Sequence, residues 1–278
     1  MRDNGTPYAQ VECGLESYAG LAQEALKHLV SVRGHDNAVV KREHLDHFLH
    51  VLACDTAFDP AGLLDSMAER RLTRETVACL YVPEAARDLG EKWLADEISF
   101  VDVTVRTERL HGLVREVDET ADAADRILGP SALVLVAEAE QHTLGAFVLA
   151  LKLRAAGFSA VVSIAPVAAE LTQLLSANRF DLALVSLGCS AALESGAGLV
   201  RTLRLLSRGE MCVFVGGAIP VSDDRLLAAT GADRALRDVS ALLAEYDACL
   251  QGRALEREGR KALNLRRNPV AKGDGVEA

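Results

Sequence analysis

The chain has 278 residues, half of them hydrophobic and a quarter charged, with a formal net charge of −10. That length supports one large or two ordinary domains, each with its own core. The negative charge argues against a general DNA or RNA binder, and no apolar run reaches the roughly 18 residues of a membrane span. The N-terminus, 1-MRDNGTPYAQ-10, has no apolar signal core. The six cysteines (Cys13, Cys54, Cys79, Cys189, Cys212, Cys249) form no CxxC pair, and most sit in apolar runs. They are expected to be free thiols in a reducing, cytoplasmic setting.

In chain order, a flexible N-terminus (1–14) leads into five segments whose apolar residues recur at helical spacing: 17–32, 41–55, 60–71, 73–97 and 99–117. Pro83 is expected to break or kink the fourth, and Ser99 to cap the fifth. Residues 15–118 thus read as an all-α bundle, followed by a linker at 119–130. From Ser131 the pattern changes. Five short apolar strands (131–137, 159–165, 181–187, 211–217 and, weakly, 232–236) alternate with amphipathic helices near 144–156, 167–177, 190–207, 221–230 and 238–251. Fully apolar strands in βα units imply a parallel sheet covered on both faces. The fold class expected for 131–252 is α/β, flavodoxin-like (Rossmann-like), with a five-stranded parallel sheet. Residues 253–278 hold seven Lys/Arg against four Asp/Glu and read as a basic, flexible tail.

Open α/β sheets bind ligands beyond the carboxyl ends of their strands, near the switch in strand order. In the order 2-1-3-4-5, β1 flanks that switch. Here β1 runs into 137-AEAEQHTLGAF-147, placing Glu140, His142 and Gly145 at the site. The third strand ends at Ser186, 44 residues after His142, and the fourth at Gly216-Gly217, 30 beyond Ser186. Each feature alone is weak; a histidine, a serine and a Gly-Gly at three strand tips are more specific together.

This constellation resembles the cobalamin-binding domain family, whose motif is Asp/Glu-x-His-x-x-Gly, then Ser, then Gly-Gly. The resemblance implies that His142 is the lower axial ligand to cobalt, in place of the vitamin's own benzimidazole. Glu140 would fix the tautomer of His142. Ser186 would act as a relay or contact the displaced nucleotide tail, Gly145 would allow close approach of its helix, and Gly216 and Gly217 would leave room for the tail. The stretch 89-LGEKWLADEIS-99 resembles the helical cap of cobalamin-dependent photoreceptors and methyltransferase corrinoid modules, which implies that Trp93 lies against the upper face of the corrin. The photoreceptor histidine after that tryptophan is Leu94 here, and Val103-Thr104 stand at the later Glu-His positions. No winged helix-turn-helix signature occurs, and no haem attachment motif.

The architecture of helical bundle, cap, corrinoid domain and basic tail resembles the PpaA/AerR antirepressors, photosynthesis-gene regulators of purple bacteria. The resemblance implies a non-enzymatic, cobalamin-binding, light-responsive regulator. Its partner would be a DNA-binding repressor of the CrtJ/PpsR type, with little direct nucleic-acid binding and no membrane. The cofactor would be adenosyl-, methyl- or hydroxocobalamin. Three alternatives remain open: a corrinoid carrier for methyl transfer, a haem sensor of the same fold, since both groups accept an axial imidazole, and a ligand-free interaction module. His44, His47 and His50 read as a polar helix face rather than a metal site, Cys189 as inert, and His111 as exposed.

Overall fold

The computed structural model describes residues 39–54, 57–120, 129–237 and 239–253. The expected helix at 17–32, the flexible N-terminus, most of the linker and the tail beyond 253 lie outside the described residues. The helical half contains α1 (Arg42–Ala53), α2 (Pro60–Ala68), α3 (Val82–Leu94) and α4 (Phe100–Thr120). A short helical turn, Arg74–Thr76, and a π-helical segment, Val77–Tyr81, lead directly into α3. Pro83 therefore does not break the helix. It sits in the first turn of α3, where its missing N–H costs little, and the wider π turn precedes it. Ser99 does cap α4. Its hydroxyl accepts from Asp102 N–H at 3.1 Å, and the Asp102 carboxylate accepts from Ser99 N–H at 3.1 Å, a reciprocal box.

The α/β half alternates β1 (Ser131–Val136), α5 (Leu144–Ala155), β2 (Ser159–Ile164), α6 (Ala168–Ala177), β3 (Leu182–Ser186), α7 (Leu193–Leu206), β4 (Cys212–Gly216), α8 (Asp223–Thr230) and β5 (Arg234–Leu236). A further helix, α9, is described over 242–253. The strands are all parallel in the order β2-β1-β3-β4-β5, the flavodoxin-like arrangement expected. Strand parity assigns the two faces. Ala132, Val134, Leu182, Leu184, Cys212 and Phe214 pack under α5 and α9. Leu133, Leu135, Ala183, Val185, Val213 and Val215 pack under α6, α7 and α8. Cover is incomplete at β2, the edge strand, where Val161 and Ile164 remain exposed.

The helix α5 is buried on two sides. Ala146, Ala150 and Leu153 face the sheet, the alanines permitting close approach. Leu144, Val148 and Leu151, at the same i, i+4, i+7 spacing, join the core of the helical half beside Phe48, Leu64, Tyr81 and Leu110. The helical domain is therefore docked on the helix that follows β1.

One cysteine expectation is corrected. Cys212 on β4 and Cys249 on α9 form a disulfide, with Cα atoms 6.6 Å apart and a separation of 37 positions in sequence. That spacing is within disulfide reach. It arises because α9 returns across the start of β4, which no sequence spacing announces. Cys54, Cys79 and Cys189 are free, and Cys13 lies outside the described residues.

Candidate functional site

Register aligns the carboxyl ends of four strands. Val136 pairs with Ser186, Ser186 with Gly216, and Gly216 with Leu236. The chain leaves this row at each position to form loops, and a cavity of about 350 Å³ opens among them. Its walls include His142 and Gly145 before and within α5, Ser186 and Gly188 after β3, Gly216 and Gly217 at β4, and Arg237 after β5. Its floor is apolar, from Leu149, Leu184, Val215, Leu236 and Val239. Volume and lining suit a small-molecule site.

Glu140 is the anchor. Its side chain is fully buried, while that of His142 is 77% exposed. One carboxylate oxygen, Oε1, accepts the His142 backbone N–H at 2.7 Å and lies 2.5 Å from His142 Nδ1. The other, Oε2, accepts the N–H groups of Gly188 and, at 3.2 Å, Cys189. Burial pushes the Glu140 carboxyl up, but the hydrogen bonds from His142 and Gly188 outweigh it and hold it below its ordinary value. The carboxylate acceptor beside it favours the ring proton on Nδ1, which leaves Nε2 as the nitrogen available to a ligand. In effect, a buried charge from the β1 loop is gripped by backbone donors of the β3 loop, and an exposed imidazole is oriented by it.

Gly188 was not singled out from sequence, although it directly follows 184-LVSL-187. A Cβ there would lie 2.8 Å from Glu140 Oε2, so glycine is what allows the carboxylate to seat. The signal was present as a glycine at a strand end; its partner was not visible. Arg237 was missed entirely, because β5 is short and weakly patterned.

The glycines divide into two kinds. A Cβ on Gly145 would meet nothing within 4 Å, so no protein neighbour requires glycine at that point of the cavity wall. By contrast, a Cβ on Gly216 would come within 2.0 Å of Leu236 O, and one on Gly217 (φ +123°) within 2.3 Å of Leu187 O. Both line the cavity, but backbone packing already demands them, a different reason from the space for a ligand tail expected above. Ser186 is half-buried at the tip of β3 and lines the cavity.

Trp93 is not brought into this cavity. It lies in the last turn of α3, 46% exposed, with its ring centroid 6.5 Å from that of Phe100. Leu94, Phe100, Val101 and Val105 are also exposed on this part of the helical half. His111, expected to be exposed, is half-buried against α5. It meets Phe147 edge-on at 5.7 Å and Thr143 Oγ1 at 3.4 Å, and burial lowers its pKa. His47 meets Ser66, whereas the His44 side chain, expected on a polar helix face, is largely buried against Tyr81. Among the described residues, no helix is long and apolar enough to cross a membrane.

No family model matches the chain. An uncharacterized 20.5 kDa protein in the bchF-crtJ intergenic region of Rhodobacter capsulatus is 38% identical over 186 residues, covering 66% of this chain and 97% of that protein. Among solved structures, the Methanosarcina barkeri monomethylamine corrinoid protein superposes with a TM-score of 0.59 at 17% identity, covering 76% of this chain and 99% of the other. At that identity the likeness establishes a shared fold.

Proposed function

The chain belongs to the family of that 20.5 kDa Rhodobacter capsulatus protein, and from this premise we propose that it is a cobalamin-binding regulator acting through contact with a DNA-binding repressor. The observation that carries the reading is the Glu140–His142 pair: a buried carboxylate, locked by the β3 loop, presenting an exposed imidazole at the mouth of a strand-tip cavity. The donor set fits a corrinoid. Imidazole nitrogen is a good ligand for cobalt, and the carboxylate behind it is the outer partner that metal-binding histidines use. The open space at Gly145 fits a ligand pressed against the start of α5.

In this reading His142 Nε2 would hold the cobalt, and Glu140 would hold the imidazole ring. Gly145, Ser186, Gly216 and Gly217, which line the cavity, would border the group, and the exposed face bearing Trp93, outside the cavity, would be the part of the helical half that covers it. When bound, the group would supply a cobalt centre able to exchange a ligand. Because the helical half packs on α5, whose first turn follows the His142 loop, occupancy of the cavity has a direct route to the cap. Occupancy biases the cap only if the ligand binds its two arrangements with different affinity.

The gene position of the relative, next to crtJ, favours a repressor of the CrtJ/PpsR type as partner, and with it the PpaA/AerR reading. The net charge of −10 suits approach to a basic DNA-binding protein. The corrinoid carrier is the second reading, favoured by the fold shared with the Methanosarcina corrinoid protein. In neither reading does the chain carry out catalysis by itself.

The test is an absorption spectrum of protein purified with hydroxocobalamin in dim light, beside His142→Ala. A retained corrinoid spectrum, lost or shifted to the water-ligated form in the variant, is expected. Retention of haem instead, or of nothing, removes the cobalamin reading. Repressor pull-downs with and without cobalamin separate regulator from carrier: equal capture in both sinks the regulatory role.

A further inference from the structure

Arg237 follows β5, three strands across the sheet from β1, roughly 14 Å at ~4.8 Å per strand. It lines the same cavity as His142. Its guanidinium does not wait for a ligand. Nη1 donates to Gly217 O at 3.2 Å and Ile219 O at 2.9 Å, Nη2 donates to Val221 O, and Nε donates to Asp223 Oδ1 at 2.7 Å. Four of the five N–H groups of an arginine are thereby engaged. All four partners lie in the β4–α8 connection, from the positive-φ Gly217 to the first residue of α8. The same connection is tied to the β3 loop by one bond, Ile219 N–H to Leu187 O at 3.2 Å. The connection that carries Gly217 and Ala218 into the cavity wall is thus held largely by one side chain that follows the neighbouring strand.

We propose that Arg237 is a positioning residue: it folds the Gly217–Asp223 connection into the wall that receives the end of the ligand farthest from His142. This rests on the cobalamin reading and deepens it. A ligand held at His142 and reaching past Gly216 is elongated, and in cobalamin that distal part is the nucleotide tail with its phosphodiester. The role is geometric rather than a charge contact, because Asp223 neutralises the guanidinium and a lysine ammonium cannot span the same set of carbonyls.

The experiment compares wild type, Arg237→Lys and Arg237→Ala in titrations with hydroxocobalamin and with cobinamide, which lacks the nucleotide tail. Hydrogen exchange of the 217–223 amides is followed in the ligand-free proteins. Both variants are expected to exchange faster in 217–223 alone and to bind cobalamin about tenfold more weakly, comparable to one lost hydrogen bond to the ligand. Cobinamide affinity is expected to stay within about twofold of wild type. Wild-type affinity in Arg237→Lys, or equal losses for both corrinoids, overturns the proposal. Wild type that binds cobinamide and cobalamin equally well also overturns it, leaving the His142 site intact. Wild type that binds neither overturns the cobalamin reading and this inference with it. If Arg237→Ala fails to fold, Asp223→Ala removes the acceptor of Arg237 Nε and loosens the same clamp from its other end, with the same expected split between the two ligands.

Discussion

Gly145 separates the requirements of the fold from those of a ligand more cleanly than any other residue at the site. Nothing in the protein lies within 4 Å of a Cβ placed there, and alanine is the better helix former. Gly145→Ala is expected to leave thermal stability unchanged or slightly raised while lowering corrinoid affinity, measured by melting and by titration of the same samples. Loss of stability would show that the glycine serves the fold. Glu140 makes the opposite case. Its removal leaves the part-buried N–H groups of Gly188 and Cys189 without their acceptor. Glu140→Ala is expected to cost about 3 kcal/mol in urea unfolding, and to weaken corrinoid binding by about 10–100-fold, the usual loss when the partner of a metal-binding histidine is removed. The residues of this pair were legible in sequence, because an acid and a histidine two apart after an apolar strand are conspicuous. The grip from the β3 loop was not, since it joins positions 48 and 49 residues apart through backbone atoms that carry no side-chain signature.

At the scale of elements, β1, β3 and β4 could be read directly because each is an apolar run buried on both faces or close to it, and β2 by its apolar residues although it is partly exposed. The fifth was faint: Arg234–Leu236 is three residues long and half-buried. That faintness hid Arg237 as well. The break expected at Pro83 did not occur because the residues before it adopt a π turn, a choice fixed by packing of Val77, Ala78 and Tyr81 rather than by local propensity. The start of α4 was legible, since Ser99 and Asp102 have capping-box spacing. Ser99→Ala is expected to destabilise the helical half by about 1 kcal/mol, seen as a lower urea midpoint. A variant indistinguishable from wild type would show that Asp102 alone secures this helix end.

For the whole molecule, the C-terminal helix is fastened to the sheet by a cluster around Asp233. Its carboxylate accepts from Val213 N–H at 2.8 Å, Arg204 at 3.0 Å and Arg253 at 2.8 Å. Burial pushes its pKa up, but these donors outweigh that and hold it below the ordinary value. A depressed carboxylate stabilises the fold fully above its unfolded value of about 3.9. That contribution is lost as pH falls through the lower folded value. Wild type is therefore expected to lose urea resistance between about pH 5 and pH 2 more steeply than Asp233→Asn; parallel curves would place the acid-sensitive group elsewhere. The two-sided burial of α5 has a consequence of a different kind. Its twelve residues are read twice, once by the sheet and once by the helical half. Adding a single residue inside it would turn everything downstream by about 100°, dislodging Leu151 from one core and Leu153 from the other in the same stroke. The same insertion in α6, where Leu171 is the only buried residue, would disturb little. A one-residue change of length is therefore expected to be borne by an outer helix such as α6, and not by the segment between His142 and β2.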